Sequence, residues 1–110
     1  MILLTLALLL APSETFEATA YHLHGRTATG HRPGPGTVAA DPRVIPLGSR
    51  VWVSGYGHAV ARDTGRAIRG RRVDVWLPSR HACRRWGRRR VQVRVIRAPR
   101  GPTTRREKHA

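Results

Sequence analysis

At 110 residues and 12.3 kDa the chain has room for one domain and a modest core. A formal charge of +15, from twenty arginines and one lysine against six acids, attracts polyanions without deciding which. A single cysteine excludes an intrachain disulfide, and short Val, Ile, Leu and Trp runs among 11 Gly and 8 Pro favour a small all-β domain over a helical bundle.

Residues 2–11, ILLTLALLLA, are apolar except for Thr5. Ten residues are too few for a membrane-spanning helix, which needs about 20. They suit the apolar region of a secretory leader, so residues 1–13 are expected to be a signal peptide or N-terminal anchor and the remainder extracytoplasmic. Phe16 to His24 alternates as a strand, with Phe16, Ala18, Ala20, His22 and His24 on one side. Two histidines on one face would still need a third and fourth ligand to hold zinc, so they read as exposed strand-end residues and no metal is expected.

Residues 25–36 are a Gly- and Pro-rich loop, and Thr37 to Ala40 is a short strand leading into Asp41-Pro42. Arg50 to Val53, the loop Ser54 to Gly57, and His58 to Asp63 read as a hairpin. In the strand Val73 to Leu77, Val73, Val75 and Leu77 point to the core, and Asp74 and Trp76 share the opposite face. Ser79 is the N-cap of a short helix with an Ala82, Cys83, Trp86 stripe and Gly87 just past its end. Cys83 is expected to pack as a small apolar residue, its thiol pKa lowered by surrounding arginines. The last strand is expected to turn Val91, Val93 and Val95 inward, ending a domain over residues 14–97; residues 98–110 read as a basic disordered tail.

All three aspartates, Asp41, Asp63 and Asp74, lie within one 34-residue stretch. The run TATG (Thr27 to Gly30) begins a set of ordered motifs, followed by A-x-DP-x-x-IPLG (Ala39 to Gly48) and GYG-x-A-x-A-x-DTG (Gly55 to Gly65). AI-x-G-x-x-VDV (Ala67 to Val75) and A-x-x-WG-x-R-x-V-x-V (Ala82 to Val93) complete it. Together they resemble the bacterial 3D domain, named for three aspartates that match these in type, order and flanking residues. The resemblance covers roughly Thr19 to Ile96; Arg66, where glycine is expected, and the arginines from Arg69 to Arg72 depart from it.

The resemblance implies a mainly β fold, a small six-stranded double-psi β-barrel with one short helix, like the C-terminal region of membrane-bound lytic transglycosylases of the A type. It implies action on peptidoglycan glycan strands, cleaving the MurNAc-β-1,4-GlcNAc bond without a cofactor. Asp74 matches the family's catalytic acid, and Asp63 and Asp41 its supporting pair. Thr29, Gly65, Ala67, Trp76 and Tyr21 are the expected glycan contacts. Such an acid must hold its proton at working pH, so neighbouring carboxylates and burial should raise its pKa, while Arg71 and Arg72 would oppose this.

Other readings remain open. The barrel could bind cell-wall glycan without cleaving it. Asp63-Thr64-Gly65 matches the aspartic-protease tripeptide, although Arg62 stands where that site wants an apolar residue. Charge also suggests nucleic acid, but the aromatic residues that would stack on bases are not interleaved with the arginines, and no specific nucleic-acid partner is expected. Anionic envelope polymers are the further partner the charge suggests. Three carboxylates each paired to arginine would leave no catalytic site at all.

Overall fold

A computed structural model describes residues 12–97 except 24, 26, 28 and 29. The expected leader, the basic tail, His24 and Thr29 lie wholly or mainly outside the described residues. Six strands carry the fold: β1 Glu14–Tyr21, β2 Thr37–Ala40, β3 Arg50–Val53, β4 Gly57–Asp63, β5 Arg72–Trp76 and β6 Arg89–Arg97, with one helix, α1 Arg80–Trp86, between the last two.

The strands close into a barrel in the order β1-β5-β2-β4-β3-β6. β1 runs parallel to β5, and β2 parallel to β4; every other neighbouring pair is antiparallel. Among the described residues the fold is therefore mainly β, a closed six-stranded barrel with a single short helix. Its two parallel pairs, each joined by a crossover, are compatible with the double-psi arrangement.

A six-stranded barrel is narrow, so its interior admits mostly small and medium side chains. The sequence supplies them at alternate positions: Ala18, Val38, Ala40, Val51, Val53, Ala61, Val73 and Val75 are almost wholly inaccessible. Phe16, Ile45 and Trp86 complete the core. Each polar outward neighbour then falls on the outer face.

The helix forms where the sequence marks it. Ser79 accepts a hydrogen bond from the Ala82 amide at 3.0 Å, and Gly87, at φ +65°, donates its own amide to the Cys83 carbonyl. It delivers Trp86 to the barrel, edge-on to Tyr56 at 6.2 Å and under the Arg89 guanidinium at 3.9 Å. In β6, Val91 and Val93 face inward as expected, but Val95 is 48% exposed. Val95 keeps its register opposite core-facing Val51; the shift comes one residue later, where Arg50 faces Arg97 and Ile96 is an extra residue, so Val95 is exposed as the first of the three exposed residues that end β6.

Candidate functional site

The acids meet on the outer face where β1, β5, β2 and β4 lie side by side. Thr19 on β1 is in register with Asp74 on β5, Asp74 with Ala39 on β2, and Ala39 with Asp63 on β4. Cross-strand partners project to the same face, so Asp74 and Asp63 stand on either side of an alanine. Their Cα atoms are two strand spacings apart, about 10 Å. A methyl group floors the slot between them.

The placement of Asp63 depends on one irregularity. Ala59 and Ala61 of β4 face the core, and strict alternation would send Asp63 there too. Between Val38 and Ala39 the register with β4 shifts by one residue, and Asp63 instead comes opposite outward-facing Ala39. Its Oδ1 accepts the Thr64 amide at 2.8 Å, which fixes the carboxylate at the mouth of the β4–β5 loop.

Asp74 is half-buried. Burial raises its pKa, and the charge of Asp63 adds to the rise; the Thr19 hydroxyl, donating to Oδ1 at 2.9 Å, opposes both. No arginine is among the groups that shift it. Arg72 shares the face of Asp74, but its guanidinium bonds Glu17 at 3.1 Å and the Ala67 carbonyl at 3.0 Å. Glu17 is the residue opposite Arg72 in the β1–β5 register. Arg88 also reaches Glu17, and Arg71 pairs with Glu14 at 2.6 Å. The two glutamates of β1 draw these arginines away from the acid.

Asp41 is a different kind of group. It is 4% exposed, and its carboxylate accepts the Arg43 amide, the Arg43 guanidinium through both oxygens, and the Gly70 amide at 2.8 Å. The Arg43 guanidinium, the Gly70 amide and the Arg43 amide hold it well below the usual carboxylate range. It ties the loop after β2 to the loop between β4 and β5. Asp41 is not among the groups that shift Asp74, so like-charge repulsion in this site comes from Asp63.

The expected glycan contacts divide in the same way. Tyr21 and Trp76 face each other across β1 and β5, one step beyond the Thr19–Asp74 pair. Trp76 donates its indole N–H to the Leu23 carbonyl at 3.1 Å, which fixes the orientation of the ring. The Trp76 backbone carbonyl accepts the Tyr56 hydroxyl at 2.8 Å, anchoring this end of β5. The Tyr21 hydroxyl is buried and has no hydrogen-bond partner among the described residues. Burial, then the charges of Asp63 and Asp74, push its pKa up, so it remains a neutral donor. Gly65 and Ala67 lie in the exposed loop after Asp63, closed by the Ile68 amide donating to the Gly65 carbonyl at 3.0 Å.

Cys83 departs from expectation. Burial raises its pKa, with the Asp74 charge adding, so the thiol stays protonated and unreactive. The helix thus lies within electrostatic reach of Asp74. The sequence reading also passed over Thr19, Ala39, Glu14 and Glu17. Alternation in β1 puts Thr19 opposite the core-facing residues, but only the β1–β5 register identifies Asp74 as its partner.

Comparison with known proteins places this geometry. The chain is 46% identical over 91 residues to the cell wall-binding protein YocH of Bacillus subtilis (strain 168), spanning 74% of this chain and 32% of that protein. It is 42% identical over 88 residues to the putative cell wall shaping protein YabE of the same organism, spanning 76% of this chain and 22% of that one. It therefore covers about a third or less of these relatives' length. Among solved structures, MltA from E. coli with bound chitohexaose superposes with a TM-score of 0.50 at 20% identity, over 70% of this chain and 29% of that one, a likeness of fold. The model of the 3D domain matches residues 36–97, more than half of the chain and inclusive of all three aspartates, and the chain belongs to the 3D domain family.

Proposed function

We propose that the chain acts outside the cytoplasm on peptidoglycan glycan strands as a lytic transglycosylase-type enzyme, with Asp74 as the single acid and base. The observation that carries this reading is the outward row Thr19–Asp74–Ala39–Asp63, in which a half-buried acid with a raised pKa faces a second carboxylate and no arginine shifts it.

Protonated Asp74 donates to the glycosidic oxygen as the bond from MurNAc C1 to that oxygen breaks. Positive charge develops at C1, and ionised Asp63 stabilises it across the slot. The C6 hydroxyl of the same sugar attacks C1 and returns its proton to the Asp74 carboxylate. The product is a 1,6-anhydro ring and a free GlcNAc hydroxyl, and Asp74 is restored. No water is consumed, so a second carboxylate acting as hydrolytic base is unnecessary. Asp41 serves by holding the loop that carries Gly65, Ala67 and Gly70. Trp76 offers a ring face one step along β5, with Tyr21 opposite it on β1.

The test digests purified peptidoglycan with the wild-type chain and with Asp74→Asn and reads the muropeptides by mass. Anhydro-muropeptides from the wild type and none from the variant support the role of Asp74; their release by both refutes it. A second reading has a specific observation in its favour: a relative 46% identical over 91 residues is named a cell wall-binding protein. A glycan-binding barrel would yield no products from either form and would bind glycan equally well with Asn at position 74.

A further inference from the structure

A second concave surface lies on the barrel away from the acid row, over β4, β3 and the loop leading into β2. This groove, of about 590 Å³, is lined by Arg32, Arg50, Arg62 and His58 around Val60, Ile96 and a Gly-Pro-Gly turn. Its volume falls in the range of about 300–1,000 Å³ typical of ligand sites. Among the described residues, no carboxylate lines it. Asp74, Asp63 and Tyr21 are not among its lining residues, although Arg62 of the lining is the chain neighbour of Asp63.

One of its cations is placed against repulsion. Arg50 of β3 is in direct register with Val60 of β4, which lines the groove, and with Arg97 of β6, which does not. Like charges directly opposite each other on neighbouring strands are destabilising. Arg43, Arg71, Arg72 and Arg88 find acids, whereas other arginines outside the groove, Arg80 and Arg84 of the helix among them, find none among the described residues, so what sets the groove apart is concavity together with charge. Among the described residues, Arg32, Arg50, Arg97 and His58 have no carboxylate partner. The bulge that brings Asp63 into the acid row leaves its neighbour Arg62 lining the groove, so one irregularity divides a negative face from a positive one.

We infer that this groove binds a phosphodiester polyanion with a flexible, non-aromatic backbone, a polyol-phosphate polymer. A phosphodiester presents two anionic oxygens, enough to bridge two of the guanidiniums of Arg32, Arg50 and Arg62 that line the groove. Val60, Ile96 and the proline of the turn supply an apolar floor that suits the carbon skeleton between phosphates. Tryptophan, tyrosine and phenylalanine are missing from the lining, so the stacking platform that single-stranded nucleic acid requires is not there.

The test measures binding of a defined-length oligo(glycerol phosphate) to the full chain by titration calorimetry at several salt concentrations. The groove variant Arg32→Gln/Arg50→Gln is compared with Arg80→Gln/Arg84→Gln on the exposed helix surface, which removes the same formal charge. Thermal melting checks that each variant folds, and Arg50→Lys, which keeps the charge but loses the planar fork, supplies a milder perturbation. Expected are saturable wild-type binding, a loss of about tenfold or more in the groove variant, a smaller loss for Arg50→Lys, and little loss in the helix variant. Equal losses in the two double variants would show diffuse attraction and overturn the site. Absence of saturable binding by the wild type would do the same. Single-stranded DNA or polyglutamate binding as tightly, with the same dependence on Arg50, would overturn the assignment to polyol phosphate.

Discussion

Replacing Thr19 with valine removes one hydroxyl from the site and little else, because the two side chains have the same shape and both suit a strand. The lost interaction is the 2.9 Å hydrogen bond to Asp74 Oδ1, the one contact that favours the ionised acid. A hydrogen bond to a charged group is worth about 1.5–3 kcal/mol net. Asp74 is only half-buried, so screening by solvent reduces this to about 1 kcal/mol, roughly a fivefold shift of the ionisation equilibrium toward the protonated form. The effect on stability has a definite sign. Raising the folded-state pKa of a carboxylate means that the folded chain holds the proton through a pH window where the unfolded chain has released it, so stability falls as pH rises through that window. Thr19→Val should therefore cost little near pH 3 and about 1 kcal/mol above the titration of Asp74, a drop of about 4–8 °C in Tm for a domain of this size. Thermal melts of wild type and variant across pH 3–8 read it directly. A Tm difference that stays constant over this range, or grows toward acid, would refute the placement of the Thr19 hydroxyl on an ionisable Asp74.

The same linkage gives Asp74→Asn an unusual expectation. Because burial and Asp63 raise the Asp74 pKa, its ionisation costs stability above the ordinary carboxylate range, so the asparagine variant should melt higher than wild type near neutral pH and lose that advantage near pH 3. Asp41 should behave in the opposite sense. Held low by Arg43 and Gly70, its carboxylate contributes stability at neutral pH that is lost as pH falls below about 4, so Asp41→Asn should lower Tm at pH 7 and converge on wild type in strong acid. Limited proteolysis of that variant should cut first in the loop from Thr64 to Arg71, which the Gly70 contact secures. Tyr21→Phe deletes a buried hydroxyl that has no partner among the described residues, so Tm should hold or rise by the equivalent of up to about 1 kcal/mol. Glycan affinity, measured with soluble chito-oligosaccharide, should hold in the same variant because the deleted hydroxyl is buried; a fall would show that the hydroxyl reaches the ligand.

Much of the architecture is written locally. Alternation in β1, β3, β4 and β5 predicts which residues fill the barrel, and Ser79 and Gly87 bracket the helix as their capping chemistry requires. Parity in β5 places Asp74 and Trp76 on the face away from Val73 and Val75, where the structure has them. Parity fails at two places. At Asp63 it points the acid into the core, and at Val95 it buries a valine that is half exposed. The bulge before Asp63 adds a residue to β4 and reverses the faces beyond it, whereas Val95 keeps its inward register and is uncovered at the exposed end of β6.

The threat that arginines 71 and 72 posed to Asp74 illustrates the same limit. Sequence spacing puts Arg72 on the acid's face, and there it stands, but its guanidinium is turned to Glu17 across a strand pair separated by more than fifty positions in the chain. By itself, the sequence determined that this is a small β domain of the 3D family, which residues are apolar enough to fill it, and which acids carry its motifs. It took the three-dimensional arrangement to show that Asp74 and Asp63 share a slot while Asp41 holds a loop, that Thr19 tunes the acid, and that Arg32, Arg50 and Arg62 line one groove. The reason is that alternation and capping are properties of neighbours along the chain. Register between parallel strands is set by barrel closure, and electrostatics follow the register.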